Sequence, residues 1–259
     1  MGQKNKFTIG ADPELFLQDQ AGHFVSAIGK FGGTKQRPKP LTGIPGCFIQ
    51  EDNVAVEFNI PPVVTTHAFV KNVRACLSEI EKRAAAFNLK LAIVPAAVFD
   101  KAQLNHPNAL HFGCDPDFNV WTLAINPPPN TTNKRLRSCG GHIHIGYPGD
   151  WVGLGRAMDL FVGCPSIVFD PDKNRRKLYV KAGTVRKKPY GLEWRTASNY
   201  WLKSKDLMEM VFSQTLAAIA FVENKREIPV DAGRAIINCI NKSDHDLLRK
   251  LTVQYNLDY

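Results

Sequence analysis

The sequence predicts an α+β fold in which helices are inserted between the strands of a mostly antiparallel sheet. Short strand-like runs fill most of the first two thirds of the chain, one long amphipathic helix interrupts them, and the end of the chain reads as helical. Strands and helices do not alternate one for one, which argues against a parallel βαβ arrangement. With 259 residues, 44% of them hydrophobic, the chain can bury one large core. We therefore expect residues 1–259 to form a single domain.

The first part of the chain predicts four strand segments and a helix. The strand segments are KFTIG, ELFLQ, FVSAIG and VAVEFNI, and Pro13 is expected to make a turn between the first two. A helix is expected from about Thr66 to Asn88. Its apolar residues recur every three or four positions and form one face: Phe69, Val73, Leu77, Ile80, Ala84 and Phe87.

The second part predicts further strands and a helical end. LKLAIVPAAVF, VWTLAIN, GGHIHIG and GLEWRTA read as strands, and residues 151–163 read as a helix. Ser204 is a predicted N-cap for the next helix, and Ser243 is predicted to open the last one. The segment from about 204 to 259 is therefore expected to be helical.

Composition narrows the class of protein. The chain carries 33 Lys and Arg against 24 Asp and Glu, a net charge of +9, which favours anionic partners such as phosphates, nucleotides or nucleic acid. The six cysteines are scattered without zinc-finger spacing, which indicates a reduced intracellular protein. The start of the chain has no apolar signal core, and no apolar run reaches the ~20 residues that span a bilayer. We expect a cytoplasmic protein without a membrane segment.

Three predicted strands place an unusual set of polar side chains on one face. Side chains alternate between the two faces of a strand. VAVEFNI thus puts Glu57 and Asn59 opposite its Val and Phe residues, GGHIHIG puts His142 and His144 opposite two isoleucines, and GLEWRTA puts Glu193 and Arg195 together. A solvated face is the ordinary explanation for one such strand. Three strands that present Glu, His, Asn and Arg indicate a site for metals or phosphate.

Carboxylates in these segments favour a divalent cation. GADPELFL places Asp12 and Glu14 at the predicted mouth of a strand, with an ordinary Asx turn as the alternative. Glutamates at positions 14, 57 and 193 suit Mg²⁺, which prefers oxygen ligands and commonly bridges carboxylates to phosphates. Zinc bound by His142 and His144 is the alternative, although no HExxH motif or cysteine pair accompanies them.

Basic segments lie next to the polar strands. NKRLR leads into GGHIHIG, residues 174–191 lead into LEWR, and the glycine-rich turn GGTKQRPKP carries Lys35. Such groups are suited to holding a triphosphate. A solvated basic surface or nucleic-acid contact is the alternative, and neither a Walker A motif nor GxGxxG occurs.

Five motifs, in this order, resemble one known family. They are GADPELFL, QEDNVAVEFNIPP, FGCDPD, GGHIHIG and YVKAGTVRKKPYGLEWRTASNYW, which run from residue 10 to residue 201. Together they resemble the phage carboxylate–amine ligase family, type 2, of the glutamine-synthetase-like amidoligases. The resemblance implies a glutamine-synthetase-like catalytic fold, a curved and mostly antiparallel sheet with helices on one face. It also implies a cytoplasmic, phage-encoded enzyme that uses ATP and Mg²⁺, with Mn²⁺ as an alternative.

The resemblance also implies roles for individual residues. Arg186, Glu193 and Arg195 are expected to be catalytic. The expected ATP-binding or phosphate-binding residues are His142, His144, Lys181, Arg195 and Lys35. The expected metal ligands are Glu14, Glu57, His142 and Glu193. Asp52, Asn53 and Asn59 are expected near the substrate.

The implied reaction joins a carboxylate to an amine through an acyl phosphate. ATP, a small carboxylate and an amine are the expected partners, and a protein or nucleic acid as acceptor stays open. Two other functions stay open as well: a phosphotransferase on the same fold, and a basic nucleic-acid-binding phage protein without catalysis.

Overall fold

A computed structural model describes residues 7–110, 117–127, 132–170, 175 and 181–259. Within these ranges the strands are β1 (Thr8–Gln18), β2 (Phe24–Val25), β3 (Lys39–Pro40), β4 (Phe48–Asp52), β5 (Ala55–Val63), β6 (Lys90–Ala92), β7 (Ala96–Val98), β8 (Phe118–Asn119), β9 (Ala124–Ile125), β10 (Leu136–Ser138), β11 (Gly141–Gly146), β12 (Thr184–Lys188) and β13 (Gly191–Trp194). The helices are α1 (Thr66–Ala85), α2 (Trp151–Met158), a π-helical turn (Asp159–Gly163), α3 (Cys164–Phe169), α4 (Lys205–Glu223), α5 (Val230–Lys242) and α6 (His245–Tyr255).

One large open sheet organises the molecule. In the described part of the chain it has eleven strands, nine of them in the order β3-β4-β5-β1-β11-β13-β12-β8-β9, and β2 and β6 pair with the far end of β1. Every pairing along this path is antiparallel. β7 and β10 form a separate pair. The predicted α+β class with an antiparallel sheet and inserted helices is therefore confirmed.

The two faces of the sheet differ in polarity. Ile143, Leu192 and Trp194 are fully buried on one face, where α1 and α2 pack. On α1, the side chains of Phe69, Val73, Ile80 and Ala84 are buried, as its predicted apolar face requires. Helix α4 covers α1 and α2 from outside. The opposite face of the sheet is left for polar side chains.

The helix Trp151–Phe169 is apolar and long enough to cross a membrane by length and composition. Of its most apolar window, 67% is buried inside the fold. Its residues Leu154, Ala157 and Met158 belong to the main core, and Leu160 and Ile167 belong to a second core under α5 and α6. It is thus packed as a core helix, and it extends beyond the predicted end at residue 163.

Some strands differ from their prediction. β1 continues through Pro13, which pairs with Gly141, so the expected turn at Pro13 is wrong. The run LKLAIVPAAVF divides into β6 and β7 around Pro95, because proline cannot donate to a ladder. β12 forms within the basic segment 174–191, where no strand was expected.

The helix boundaries also need corrections. Helix α1 ends at Ala85, and Phe87 lies beyond it, 47% exposed. Ser204 caps α4 as predicted, since its side chain accepts a hydrogen bond from Leu207 N. Ser243 does not open α6: it is the left-handed C-cap of α5, with φ 53°, and Asp244 is the N-cap of α6.

Candidate active site

Strand β1 lies at the centre of the polar face. Residues directly opposite each other in an antiparallel pair point to the same face. Asp12 on β1 lies opposite His142 on β11, and Glu14 lies opposite Glu57 on β5. The three strands therefore bring three acidic residues and one histidine side by side.

The same register extends the polar face in both directions. His144 on β11 lies opposite Glu193 on β13, and Glu193 lies opposite Arg186 on β12. On the other side of β1, Glu57 lies opposite Gln50 on β4. Six neighbouring strands, from β4 to β12 in the sheet order, thus contribute one row of ionisable and amide side chains.

The first acidic cluster consists of Glu14, Asp52 and Glu57. One carboxylate oxygen from each lies within 4.8 Å of the others. Burial raises the pKa of Glu57 well above its ordinary value, and the charges of Asp12, Asp52 and Glu14 raise it further. Burial also raises the pKa of Glu14, with a further contribution from Asp52. Such a group of carboxylates is costly to ionise unless a cation joins it.

The second cluster consists of Asp12, His144 and Glu193, with ligand atoms again within 4.8 Å of one another. Asp12 Oδ1 lies 2.9 Å from His144 Nε2 and 3.3 Å from His142 Nδ1. Burial opposes ionisation of Asp12, but the two imidazoles outweigh it and hold its pKa below the ordinary value. Burial lowers the pKa of His144, but the charge of Asp12, the hydrogen bond with Asp12 and the charge of Glu193 together outweigh it, and the pKa of His144 is raised.

Glu193 is surrounded by cationic side chains. Its Oε1 accepts a hydrogen bond from Arg195 Nη1 and lies 3.4 Å from Arg186 Nη1, while its Oε2 lies 2.7 Å from Lys188 Nζ. Although burial is the largest contribution and opposes ionisation, the charges of Arg195, His142 and His144 together lower the pKa of Glu193 to about 2. A second carboxylate aligns both arginines, since Asp117 Oδ1 lies 3.1 Å from Arg186 Nη2 and 3.1 Å from Arg195 Nε.

The glycines of GGHIHIG make room for His142. A Cβ on Gly140 would lie 2.1 Å from His142 Nε2, and one on Gly141 would lie 2.2 Å from the carbonyl oxygen of Ser198. The N–H of Gly140 donates to Glu14 Oε2 at 2.6 Å. His142 is thus buried between the two acidic clusters, and its Nδ1 lies 3.3 Å from Arg195 Nη1.

Tyr190 covers His144 at the solvent side. The two rings are stacked with centroids 6.0 Å apart, and the tyrosine hydroxyl lies 2.5 Å from His144 Nδ1. Because Nε2 of the same ring faces Asp12, both nitrogens of His144 have a polar neighbour.

The structure brings most of the predicted site residues together. Those on the polar face are Glu14, Glu57, His142, His144, Arg186, Glu193 and Arg195, with Asp52 in the first acidic cluster. Asn59 lies on the same face of β5, two residues from Glu57, and Asn53 makes the turn before β5 with φ 59°. Lys35 and Lys181 are exposed. Lys35 lies in the turn between Thr34 and Arg37, and Lys181 contributes a backbone carbonyl to Thr184 and Thr196.

Sequence reasoning missed three residues of the site, Asp117, Lys188 and Tyr190, and it named Asp12 without assigning it a role. Asp12 lies two positions before Glu14 and so shares its face, but the expected turn at Pro13 obscured this. Lys188 bears the same relation to Arg186 on the unpredicted strand β12. Asp117 ends the quoted motif FGCDPD, whose other residues lie outside the described part of the chain. No sequence signal distinguished Tyr190.

The donor sets of the two clusters fit divalent cations. Carboxylate oxygens suit Mg²⁺ or Mn²⁺, and one imidazole among them is compatible with Mn²⁺. The first cluster offers three carboxylates, and the second offers two carboxylates with a histidine. Among the described residues, no cysteine joins either group, which disfavours a thiolate zinc site.

Comparison with known proteins gives a family match and matches among the solved structures. Among the solved structures, "Apo GmaS without ligand" matches with a TM-score of 0.43 and 11% sequence identity, over 95% of this chain and 65% of that chain. The chain thus spans less than two thirds of GmaS, and a likeness of this size assigns it no activity. No curated protein matches the sequence. Residues 133–258, just under half of the chain, match the family described as "Phage phiEco32-like COOH.NH2 ligase-type 2". This match agrees with the resemblance predicted from the motifs, and the part of the chain with β10–β13 and α2–α6 is similar to that family.

Proposed function

We propose that this protein is an ATP-dependent carboxylate–amine ligase that forms an amide bond through an acyl phosphate. The observation that carries the proposal is the polar face of the sheet, where two acidic clusters adjoin Arg186 and Arg195. The family match over residues 133–258 supports a ligase that joins carboxyl and amino groups. ATP, the divalent cation and the intermediate are parts of the proposal.

The acidic clusters are the proposed cation sites. Glu14, Asp52 and Glu57 would hold one Mg²⁺ or Mn²⁺, and Asp12, His144 and Glu193 would hold another, with His142 between them. A bound divalent cation would supply charge neutralisation for the phosphates of ATP. We assign Asp52 to the cation site on this basis, and we keep Asn53 and Asn59 as substrate candidates.

Arg186 and Arg195 serve the phosphoryl transfer in this proposal. A carboxylate oxygen of the substrate attacks the γ-phosphorus, the bond to the β–γ bridging oxygen breaks, and ADP leaves. Negative charge on the transferred group requires fixed cations and in-line positioning. One oxygen of Asp117, Oδ1, contacts the guanidinium groups of both Arg186 and Arg195. Both side chains are therefore oriented before ATP binds.

The second step replaces phosphate by an amine. The amine nitrogen attacks the acyl carbon, the carbon–oxygen bond to phosphate breaks, and one proton leaves the nitrogen for a base. Inorganic phosphate and the amide are the products. Lys188 lies at the same edge of the site as Glu193 and is suited to contact the departing phosphate. Lys35 and Lys181 are exposed, and in this proposal their positive charge attracts ATP towards the site.

Trapping with hydroxylamine tests this function. The protein is incubated with ATP, Mg²⁺ and a pool of amino acids and dicarboxylic acids, with hydroxylamine as the amine. We expect ADP, phosphate and a hydroxamate in equal amounts. Glu57→Gln and Glu193→Gln should abolish the product, whereas Glu79→Gln, which alters only the surface pair with Arg83 on α1, should leave it unchanged.

The other outcomes identify the competing functions. A phosphorylated acceptor that persists without amide formation would assign a phosphotransferase. Absence of nucleotide binding with either metal, together with salt-dependent DNA binding that survives Glu57→Gln and Glu193→Gln, would contradict the ligase and indicate a nucleic-acid-binding protein.

A further inference from the structure

Asp159 is a fully buried carboxylate on the side of the sheet that faces away from the candidate site. It lies at the start of the π-helical turn Asp159–Gly163, between α2 and α3. None of the described cationic side chains forms an ion pair with it. Because an unpaired buried charge is costly, an apolar residue would suit a purely structural position better. π-helical turns often occur at functional sites, and this one adjoins a strand of the site.

Three uncharged side-chain donors converge on this carboxylate. Asp159 Oδ1 accepts from Trp194 Nε1 at 2.9 Å and from Thr196 Oγ1 at 3.1 Å. Its Oδ2 accepts from Trp121 Nε1 at 2.7 Å. Both oxygens are therefore used, and the donors come from two separate segments of the chain.

Two of these donors alternate with residues of the site. Trp194 separates Glu193 from Arg195, and Thr196 follows Arg195 directly. Since successive side chains of an extended segment point to opposite sides, Asp159 holds this segment from behind while Glu193 and Arg195 face the acidic clusters. A shift of Trp194 along the strand would move both.

The third donor extends the connection to Asp117. Trp121 lies in the turn after β8, and β8 begins one residue after Asp117. Asp117 in turn contacts both Arg186 and Arg195. Asp159 thus ties together the two segments whose polar sides carry Glu193, Arg195 and Asp117.

We propose that Asp159 is a positioning residue that fixes Glu193 and Arg195 for phosphoryl transfer through its hydrogen bonds to Trp194, Thr196 and Trp121. The inference deepens the proposed ligase function and rests on it for its kinetic consequence. The structural part of the inference is that a change at Asp159 alters the position of Arg195. This part can be tested on a protein that shows no enzymatic activity.

Asp159→Asn tests the transmission. The amide keeps the shape of the carboxylate, but its NH₂ group cannot accept, so at least one of the three donors loses its partner. In ¹H–¹⁵N spectra of the full chain, we expect the indole N–H signals of Trp121 and Trp194 to move. Trp201, whose Nε1 donates to Gly141 O, is the internal reference. The Nε–H signal of Arg195, which donates to Asp117, should also move.

Kinetics test the consequence in the ligase assay. We expect kcat to fall by roughly tenfold or more while KM for ATP changes by less than about threefold, because misplacement of catalytic groups affects the transition state more than binding. Thr215→Val is the control: it removes a buried hydrogen bond from Thr215 Oγ1 to Val211 O within α4. It should lower stability without moving the Arg195 signal or kcat.

Two results would overturn the inference. One is an Asp159→Asn protein in which the tryptophan signals move and the Arg195 signal does not. The other is an equal loss of kcat in Asp159→Asn and Thr215→Val. If Asp159→Asn does not fold, Thr196→Val removes a single donor and must still move the Arg195 signal. If the wild-type protein is inactive in the ligase assay, this counts against the proposed ligase function only. The positioning role of Asp159 is then judged from the tryptophan and Arg195 signals in the ¹H–¹⁵N spectra.

Discussion

At the scale of single residues, Gly140 shows how a missing side chain shapes the site. The ring of His142 occupies the space where a Cβ of residue 140 would lie, 2.1 Å from Nε2. The same glycine donates its N–H to Glu14 of the first acidic cluster. Gly140 therefore lies against both Glu14 and His142, the histidine between the two clusters. No side chain other than hydrogen leaves this arrangement intact.

Gly140→Ala is therefore expected to displace His142 and to weaken binding of Mn²⁺ by roughly tenfold, because residues that orient metal ligands typically affect metal affinity by at least this factor. Overpacking should also lower the free energy of unfolding by about 1–3 kcal/mol. Calorimetric titration with Mn²⁺ measures the first effect and urea unfolding the second. Gly22→Ala is the control, since Gly22 has φ +88° and no atom near its Cβ position. It should lower stability while Mn²⁺ binding stays as in the wild type.

Asp159 gives a prediction about pH. Burial raises its pKa to about 6 from an ordinary value of 3.8, against the opposing effect of its hydrogen bonds. Between these two values the folded state binds more protons than the unfolded state, so stability falls as the pH rises through this window. A shift of about two pKa units corresponds to about 3 kcal/mol. Asp159→Asn should reduce the loss of stability between about pH 4 and pH 6. Urea unfolding at several pH values measures this, and a curve parallel to that of the wild type would contradict it.

At the scale of elements, β1 is the strand on which the site depends. Its continuation through Pro13 keeps Asp12 and Glu14 on one face, and the N–H of Glu14 still reaches Gly140 O at 2.9 Å. The carbonyl of Gly141, opposite Pro13, accepts from Trp201 Nε1 at 3.1 Å, and the N–H of Gly141 donates to Ala197 O, so Gly141 does not need the donor that proline lacks. Local preference predicted a turn, and pairing with β5 and β11 overrode it.

The cap of α4 offers a test at the same scale. Ser204 Oγ accepts from Leu207 N at 3.1 Å and satisfies one free N–H of the first turn. Ser204→Ala should lower the free energy of unfolding by about 1 kcal/mol. Ser213→Ala serves as the matched control, because Ser213 is an exposed serine inside α4 and bonds only to Met210 O in its own turn. Its unfolding free energy should change little or rise slightly, and equal losses in both variants would argue against a capping role.

At the scale of the whole molecule, two hydrophobic clusters share side chains. The main core lies between the sheet, α1, α2 and α4, and the second core lies between α3, α5 and α6. Trp121, Phe161, Ile228 and Tyr255 pack against both. Because these residues join the clusters, we propose that residues 1–259 form one domain, as the sequence predicts.

A single cooperative unfolding transition is the expected result. Far-ultraviolet circular dichroism reports all helices, and tryptophan fluorescence reports the sheet and core through Trp194 and Trp201, which are fully buried. Both signals should change at the same urea concentration. Earlier loss of helical signal at constant fluorescence would show that α5 and α6 unfold separately.

The sequence by itself determined the alternation of the strands and therefore the composition of the polar face. Glu57, His142 and Glu193 were assigned to the same kind of face because the period of a strand is two. The cap at Ser204 and the apolar face of α1 follow from similarly local rules. The order of five motifs also sufficed to recognise the ligase family that residues 133–258 match.

Only the tertiary structure decided which of these side chains meet. The register of β1 against β5 and β11 pairs Glu14 with Glu57 and Asp12 with His142, and neither pairing can be derived from spacing along the chain. Asp117 and Asp159 acquire their roles from partners 69 and 35 residues away. Such contacts depend on the packing of strands and helices over long separations, and a carboxylate in a local segment gives no signal of the arginine or tryptophan that it will contact.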